Sequence, residues 1–168
     1  IAKENLIGVE ENKVFKFGEL EIQAIHTPGH AVHHIAWKIG ETIFTGDVAG
    51  VTINNGPVVP PCPPPDINLK DWKKSISVLK SLNPKFLYLT HFGLVTDPQK
   101  HLSALENVLD DWSNWMKPYF EASTDQNEIV PKFMEYTKNQ LISQNVHEST
   151  IRVYEYANPS WMSVAGLM

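Results

Sequence analysis

A proline-rich segment near the middle of the chain limits what the chain can fold into more than any other feature. Residues 51–66 hold six of the 12 prolines in the 168-residue sequence, and five of these lie between Pro60 and Pro65. Proline has no backbone N–H and a fixed φ, so neither a helix nor a central strand can run through the segment. The sequence therefore predicts a β-rich part over residues 12–50, a stiff extended or surface loop over 51–66, and an α/β and helical part over 67–168.

The β-rich part carries the pattern of two hairpins. Alternating runs at 14–17 and 20–25 flank a Gly-Glu pair, and runs at 34–39 and 42–45 flank a second Gly-Glu pair. Short alternating runs joined by a glycine-containing turn are typical of antiparallel strands. The two predicted hairpins bracket residues 26–30, with the sequence His-Thr-Pro-Gly-His.

The second part of the chain carries helical periodicity interrupted by one short apolar run. A helix is predicted from about residue 69, capped by Asn68 or Asp66, and a long one after Asp97 and Pro98, which have the residue types of an N-cap and a first helical position. A third helix is expected around residues 129–134, and a helical tail interrupted at residues 158–159. Between the first two helices, residues 86–90 have the apolar composition of a strand buried on both faces.

This order of elements predicts an α/β fold, with helices packed on a mainly antiparallel or mixed sheet. The length and the 42% hydrophobic content predict a single domain over residues 1–168.

A net charge of −5 without a basic stripe argues against a nucleic-acid partner, and the sequence has no apolar run of the ~20 residues that would cross a membrane. A single cysteine, Cys62, excludes an internal disulfide and favours a cytoplasmic setting.

Three side chains of metal-ligand type follow predicted strands or tight turns. His30 comes after a Pro-Gly turn, Asp47 after the run Phe-Thr-Gly, and His91 after the run Tyr-Leu-Thr. Imidazole and carboxylate groups are common ligands for zinc and iron, and a carboxylate can bridge two ions. Each residue alone would more often be a solvated or turn residue, so their combination carries the hypothesis.

In their order and spacing, the runs 26–30, 44–47 and 88–91 resemble the second half of the metallo-beta-lactamase superfamily pattern. The resemblance implies half of an αββα sandwich with extra C-terminal helices. It further implies that His30 binds a first metal ion, that the catalytic Asp47 bridges two ions and that His91 binds the second. The ions would be zinc, or alternatively iron or manganese.

The family's remaining ligands come from a His-x-His-x-Asp-His motif, and these 168 residues do not contain it. The resemblance therefore implies a metal-dependent hydrolase of a small-molecule ester, thioester or lactone, of which this chain holds half a site. We expect the chain alone to be inactive and metal-free or weakly metal-binding. The alternatives are a non-haem iron oxidoreductase on the same fold and a non-catalytic module that associates with itself. Half a sandwich would expose an apolar sheet face, which predicts a homo-oligomer.

Other candidate residues receive structural interpretations. Of the adjacent His33 and His34, only one can face the site, in a supporting or substrate-contact role. His101 and His147 are expected to be solvated, and Cys62 to be inert. The prolines 60–65 are interpreted as a rigid loop rather than a recognition motif. A hydrogen bond within the turn is expected for His26, and core or covering roles are expected for Trp112, Trp115, Tyr119 and Phe120.

Overall fold

The fold is built on a mixed sheet with helices on one side. The structure is a computed structural model and describes residues 2–91 and 93–168. The strands are β1 Val14–Phe17, β2 Leu20–His26, β3 Ile35–Ile39, β4 Thr42–Gly46, β5 Phe86–Leu89 and β6 Gly93–Val95. The helices are α1 Leu69–Ser81, α2 Pro98–Glu121, α3 Gln126–Ser143, α4 Glu148–Ala157 and α5 Ser160–Leu167. A short 3-10 helix, Asp47–Ala49, follows β4 directly.

Over the described residues the six strands pair in chain order, from β1 to β6. Every pairing is antiparallel except that of β4 with β5, which is parallel and is connected through the proline-rich segment and α1. Strands β2, β4 and β5 therefore run in the same direction. Their carboxyl ends meet at one edge of the sheet, which is where the predicted ligand residues follow.

The sequence predictions for the local elements are largely confirmed. The two hairpins form, Asn68 caps α1 through a bond from the amide of Asp71, and Asp97 caps α2 with Pro98 in its first turn. The helical tail breaks into α4 and α5 at Asn158 and Pro159. Strand β6 was not predicted, because its three residues follow a turn and are too short to show an alternation.

One face of the sheet packs on α1 and α2, and we refer to it as the covered face. Its strand residues are Ile25, Ala36, Ile43, Leu87 and Leu89. They pack with Trp72, Ile76 and Leu79 of α1 and with Leu102, Leu105 and Leu109 of α2. The three- and four-residue spacing of these helical side chains is what places them on one stripe of each helix.

A second apolar cluster lies among the C-terminal helices. Helix α2 continues into it with Trp112 and Met116, which pack on Ile129 and Phe133 of α3 and on Val59 of the proline-rich segment. Phe120, by contrast, is exposed rather than part of this core. The proline-rich segment is not simply a surface loop, because Val51, Ile53 and all of residues 58–62 are buried.

The opposite face of the sheet is open and aromatic. The open face consists of Phe15, Phe17, Ile22, Trp37, Ile39, Phe44, Phe86 and Tyr88. The rings of Phe44 and Tyr88 stack with their centroids 5.2 Å apart. The prediction that β5 is buried on both faces is wrong, because helices cover only the side to which Leu87 and Leu89 point. No helix in the described ranges is long and apolar enough to cross a membrane.

Candidate metal centre

The three residues singled out from the sequence meet at the edge formed by the carboxyl ends of β2, β4 and β5. His30 lies in the turn after β2, Asp47 follows β4, and His91 follows β5. The Nε2 atom of His30 is 3.5 Å from Oδ2 of Asp47, and the Nε2 atom of His91 is 3.4 Å from its Oδ1. Each carboxylate oxygen thus faces a different imidazole. Residue Phe92, which belongs to the same sequence motif, lies outside the described residues.

The carboxylate of Asp47 has an unsatisfied oxygen. Its Oδ1 atom is buried and has no hydrogen-bond partner among the described residues. Leaving a buried charged acceptor without a donor costs about 1–3 kcal/mol or more. A cation or a bound water at this position would remove that cost, so the atom is where a metal ion is expected.

The spacing of the donor atoms fits shared ligation. Two donors about 2.0–2.1 Å from one zinc ion, at the tetrahedral angle, lie about 3.3–3.4 Å apart. The distances from Asp47 to His30 and His91 are close to that value. Within residues 2–91 and 93–168, however, no three His, Cys, Asp or Glu side chains converge as a single metal cluster. The three residues therefore form two carboxylate–imidazole contacts that share the carboxylate of Asp47.

The proton of His30 is placed by a backbone carbonyl. Its Nδ1 atom lies 2.9 Å from the carbonyl oxygen of Pro61. A carbonyl can only accept, so Nδ1 carries a proton, and Nε2 is the ring nitrogen that faces Asp47. The ring also meets Trp72 edge-on, with the centroids 5.6 Å apart. The ring of His30 is thus fixed in the tautomer that a metal ligand needs.

Three aromatic ring nitrogens hold the backbone of residues 47–49. The Nε2 atom of His34 accepts the amide N–H of Asp47 at 3.2 Å. The indole of Trp72 donates to the carbonyl of Val48 at 2.7 Å, and Nε2 of His101 lies 2.8 Å from the carbonyl of Ala49, to which it donates. We call these three residues the ring clamp. It fixes the short helix that carries the Asp47 carboxylate.

His34 cannot be a metal ligand in this arrangement, because both of its ring nitrogens are engaged. Its Nδ1–H donates to Oγ1 of Thr27 at 2.8 Å while Nε2 accepts from Asp47. Burial, together with the neighbouring His30, lowers the pKa of His34 to about 4 against the opposing effect of Asp47. His33, its neighbour in sequence, is exposed. Of the two adjacent histidines, one therefore has the expected supporting role.

Gly46 makes the approach of His34 to Asp47 possible. It has a φ of 57°, in the left-handed region that favours glycine. A Cβ at this position would lie 2.3 Å from Nε2 of His34. Glycine at the end of β4 therefore has two geometric effects: it turns the chain before Asp47, and it leaves room for the imidazole of His34.

The prediction that His101 is solvated is wrong. Its imidazole is partly buried against Ala49, and burial lowers its pKa. The signal was present in the sequence, because His101 lies four residues before the core residue Leu105 and so shares its side of α2.

His147 is exposed and caps α4, while His26 bonds to the carbonyl of Val32 within the turn. Burial also raises the pKa of the Cys62 thiol well above its ordinary range, which keeps the thiol protonated.

Comparison with known proteins identifies a family. The model of the metallo-beta-lactamase superfamily matches residues 1–91. A metallo-beta-lactamase fold-containing protein of Sulfurisphaera tokodaii is 36% identical over 105 residues, which are 61% of this chain and 40% of the relative. The chain thus spans about two fifths of the length of that relative.

Two solved structures are similar in fold. The crystal structure of an archaeal metallo-beta-lactamase superfamily protein from Sulfolobus tokodaii superposes with a TM-score of 0.57 at 36% identity, covering 64% of this chain and 41% of that one. A metallo-beta-lactamase family protein from Thermus thermophilus gives a TM-score of 0.57 at 19% identity, with 67% and 38% covered. The second likeness concerns the fold alone.

Proposed function

Because this chain belongs to the metallo-beta-lactamase superfamily, we propose that it supplies His30, Asp47 and His91 to the dinuclear metal centre of a hydrolase acting on small-molecule esters, thioesters or lactones. One observation carries the proposal. The Asp47 carboxylate has a buried oxygen without a hydrogen bond, and its two oxygens face two different imidazoles at 3.4 and 3.5 Å.

The geometry around the carboxylate supports a proposed role for each residue. His30 would bind a first ion through Nε2, since its Nδ1–H is held by Pro61. Asp47 would use one oxygen for each ion, and His91 would bind the second ion. Two metal ions in such a centre lower the pKa of a bound water and polarise the carbonyl of the substrate. The ring clamp would keep the Asp47 carboxylate in place through this chemistry.

We propose zinc as the metal and only weak binding by this chain alone. Zinc is usually held by at least three protein ligands, and each oxygen of Asp47 here has a single imidazole beside it. The His-x-His-x-Asp-His motif that supplies further ligands in the family is absent from these residues. Substantial hydrolysis would therefore need ligands that this sequence does not contain.

A titration followed by NMR tests the proposal directly. We would add Zn²⁺ to the chain at neutral pH and follow the ring ¹⁵N and ¹H shifts of the histidines. We expect His30 and His91 to shift, with saturation at or below about 1 mM, which corresponds to a binding free energy of about −4 kcal/mol. An Asp47→Asn variant should lose this response, whereas Glu128→Gln, at an exposed position on α3, should keep it. Unchanged spectra of His30 and His91 at millimolar zinc would refute the proposal.

A non-haem iron oxidoreductase is the second candidate, and the types of donor group present are compatible with it. Two imidazoles and one carboxylate are also the ligand type of non-haem iron(II) sites. The same titration with Fe²⁺ under anaerobic conditions, followed by competition with Zn²⁺, distinguishes the two functions. Retention of iron against an equal concentration of zinc would favour the oxidoreductase.

We also propose that a second copy of the chain covers the open face. Its exposed aromatic rings, including the stacked Phe44 and Tyr88, form a continuous apolar surface on one side of the sheet. Surfaces of this kind usually mark association. A homo-oligomer formed through this face is compatible with either enzyme function, and it would also serve a non-catalytic module.

A further inference from the structure

The carbonyl groups of residues 57–65, which we call the proline segment, act as a row of hydrogen-bond acceptors. Six of these nine residues are proline and have no backbone N–H. Prolines cannot donate to a partner strand, and the segment makes one such pairing, a bridge in which Val59 exchanges backbone hydrogen bonds with Val51. The carbonyls of three of its prolines accept from side chains instead. Pro60, Pro61 and Cys62 are nonetheless buried, which makes each of these bonds structurally important.

The donors come from two different parts of the molecule. The carbonyl of Pro57 accepts from the hydroxyl of Tyr154 at 2.6 Å, and the carbonyl of Pro60 accepts from Nδ2 of Asn158 at 3.0 Å. The next carbonyl, that of Pro61, accepts from Nδ1 of His30. Of these three donors, Tyr154 belongs to α4 and Asn158 is its C-cap, one helical turn further on, while His30 is a candidate metal ligand.

Asn158 is itself fixed by α5. It is buried, and its Oδ1 atom accepts from the hydroxyl of Ser163 at 3.2 Å. This bond determines which side of the amide group faces Pro60, because the nitrogen must then point to the carbonyl. The orientation of the Pro60 peptide is therefore linked to the start of α5.

A close backbone contact holds the other side of Pro61. A Cβ built at Gly166 of α5 would lie 2.1 Å from the carbonyl oxygen of Cys62. The absence of a side chain thus lets α5 lie directly on the residue after Pro61. Pro61 thus lies between two residues that are fixed by these helices, Pro60 through its bond from Asn158 and Cys62 through its contact with Gly166.

We propose that α4 and α5 set the tautomer and orientation of His30, with Asn158 and Gly166 as positioning residues that act through the carbonyl of Pro61. The helices lie beyond residues 1–91, the part matched by the superfamily model. The expected effect of α4 and α5 on the His30 tautomer is argued from these hydrogen bonds and contacts alone. The expected effect on metal binding rests, in addition, on the proposed function.

The tautomer can be measured in the metal-free protein. Long-range ¹H–¹⁵N correlation spectra at neutral pH separate the Nδ1–H and Nε2–H forms of each histidine. We expect His30 to be in the Nδ1–H form in the unmodified chain and to become a mixture of both forms in Asn158→Ala and in Gly166→Ala. The matched control is Tyr154→Phe on α4. It removes the hydroxyl that bonds to Pro57 and Ile53 but leaves the bond from Asn158 to Pro60, and should keep His30 in the Nδ1–H form.

A milder variant covers the case in which these substitutions prevent folding. Ser163→Ala changes little volume at a buried position and releases only the orientation of the Asn158 amide, so we expect a partial change of the tautomer ratio. Zinc titration of the same variants should show a loss of affinity of about 10-fold, the lower end of what outer supports of metal ligands contribute.

The outcomes separate this inference from the proposed function. An Nε2–H form in the unmodified chain, or an unchanged Nδ1–H form in the folded variants, overturns the inference. A changed tautomer in variants of a protein that binds no zinc supports the inference and refutes the metal centre. A changed tautomer together with weaker zinc binding supports both.

Discussion

The two faces of the sheet are made by alternate residues of the same strands, yet they differ in nearly every physical respect. On β5, Leu87 is 0% exposed and packs under α1 and α2, whereas its neighbour Tyr88 is 43% exposed on the open face. The covered face is aliphatic and has helices packed on it. The open face is mostly aromatic and has no helix against it among the described residues.

This difference shows what an alternating pattern can and cannot specify. The period of two determines which residues share a face, because successive side chains point to opposite sides of a strand. It does not determine whether anything covers that face. The apolar residues on both sides of β5 favoured a strand buried on both faces, and the open face carries the same apolar residues without a cover in this chain.

The largest difference between the two faces is expected when each of two neighbouring residues on β5 is replaced by alanine in turn. Leu87→Ala should lower the free energy of unfolding by about 3 kcal/mol, since it leaves a cavity in a closely packed core. Tyr88→Ala should cost about 1 kcal/mol or less, mainly through the lost stacking on Phe44. Urea denaturation measures both. These values are for the monomer at low protein concentration, and the cost of Tyr88→Ala should rise with concentration if a second copy covers the open face. Equal costs in the monomer would contradict the comparison of the two faces.

The second test concerns the end of β4, where the candidate metal centre begins. Gly46→Ala combines a left-handed φ with a clash against His34, and should cost about 3 kcal/mol. Gly40→Ala also has a positive φ but meets nothing within 4 Å, so about 1 kcal/mol is expected. Matching midpoints in urea for the two variants would show that His34 does not lie against Gly46.

The third test is the pH dependence of stability, which reports on the ring clamp beside the covered face. His34 has its pKa lowered from 6.5 to about 4, and the pKa of His101 is also lowered, both mainly by burial. Between pH 6.5 and pH 4, unfolded chains bind more protons at His34 than folded ones do. The contribution of this residue to stability is therefore fully present above about pH 6.5 and is lost as the pH falls towards 4. For His34 we expect a loss of about 2 kcal/mol, reduced from the full shift because the ring is partly solvated.

Unfolding midpoints in urea at pH 7 and pH 5 measure this effect. His101→Gln keeps a donor for the carbonyl of Ala49 but removes a titrating group. It should therefore reduce the change in unfolding free energy between pH 7 and pH 5. His147→Gln, at the exposed cap of α4, serves as the control and should leave it unchanged. A slope that does not respond to His101→Gln would contradict the burial of that imidazole.

The smallest effect on stability is expected on the open face itself. Phe44→Lys should lower the free energy of unfolding of the monomer by about 1 kcal/mol or less, because it loses the stacking on Tyr88 at an exposed position. It should, however, shift the chain from an oligomer towards a monomer in size-exclusion chromatography with light scattering. Val153→Lys, at a similarly exposed position on α4, should leave the oligomer intact. A monomer in the unmodified chain would refute the proposed self-association.

The sequence predicted most of the local structure and the composition of the candidate site. The hairpins, the caps Asn68 and Asp97 and the break at Asn158 all depend on nearby residues, and these predictions are confirmed. The three ligand candidates come together because they follow strands that run in the same direction. Their assignment as metal ligands stays a prediction.

What the sequence did not show are the contacts between distant residues that support this site. The bond of His101 to Ala49 and that of His30 to Pro61 join residues whose separation along the chain carries no periodic signal. A backbone carbonyl has the same chemistry at every residue, so no pattern of side chains could point to Pro61. Such contacts depend on how whole helices dock, which local patterns do not determine.

The composition of the proline segment has a consequence for how its motions can be observed. Only Val58, Val59 and Cys62 have an amide proton between residues 57 and 65. Hydrogen exchange and standard amide spectra would therefore report almost nothing from the stretch on which His30 depends. Spectra that correlate each labelled carbonyl carbon with the nitrogen of the following residue, and that are detected on carbon, would be needed to see whether this stretch moves.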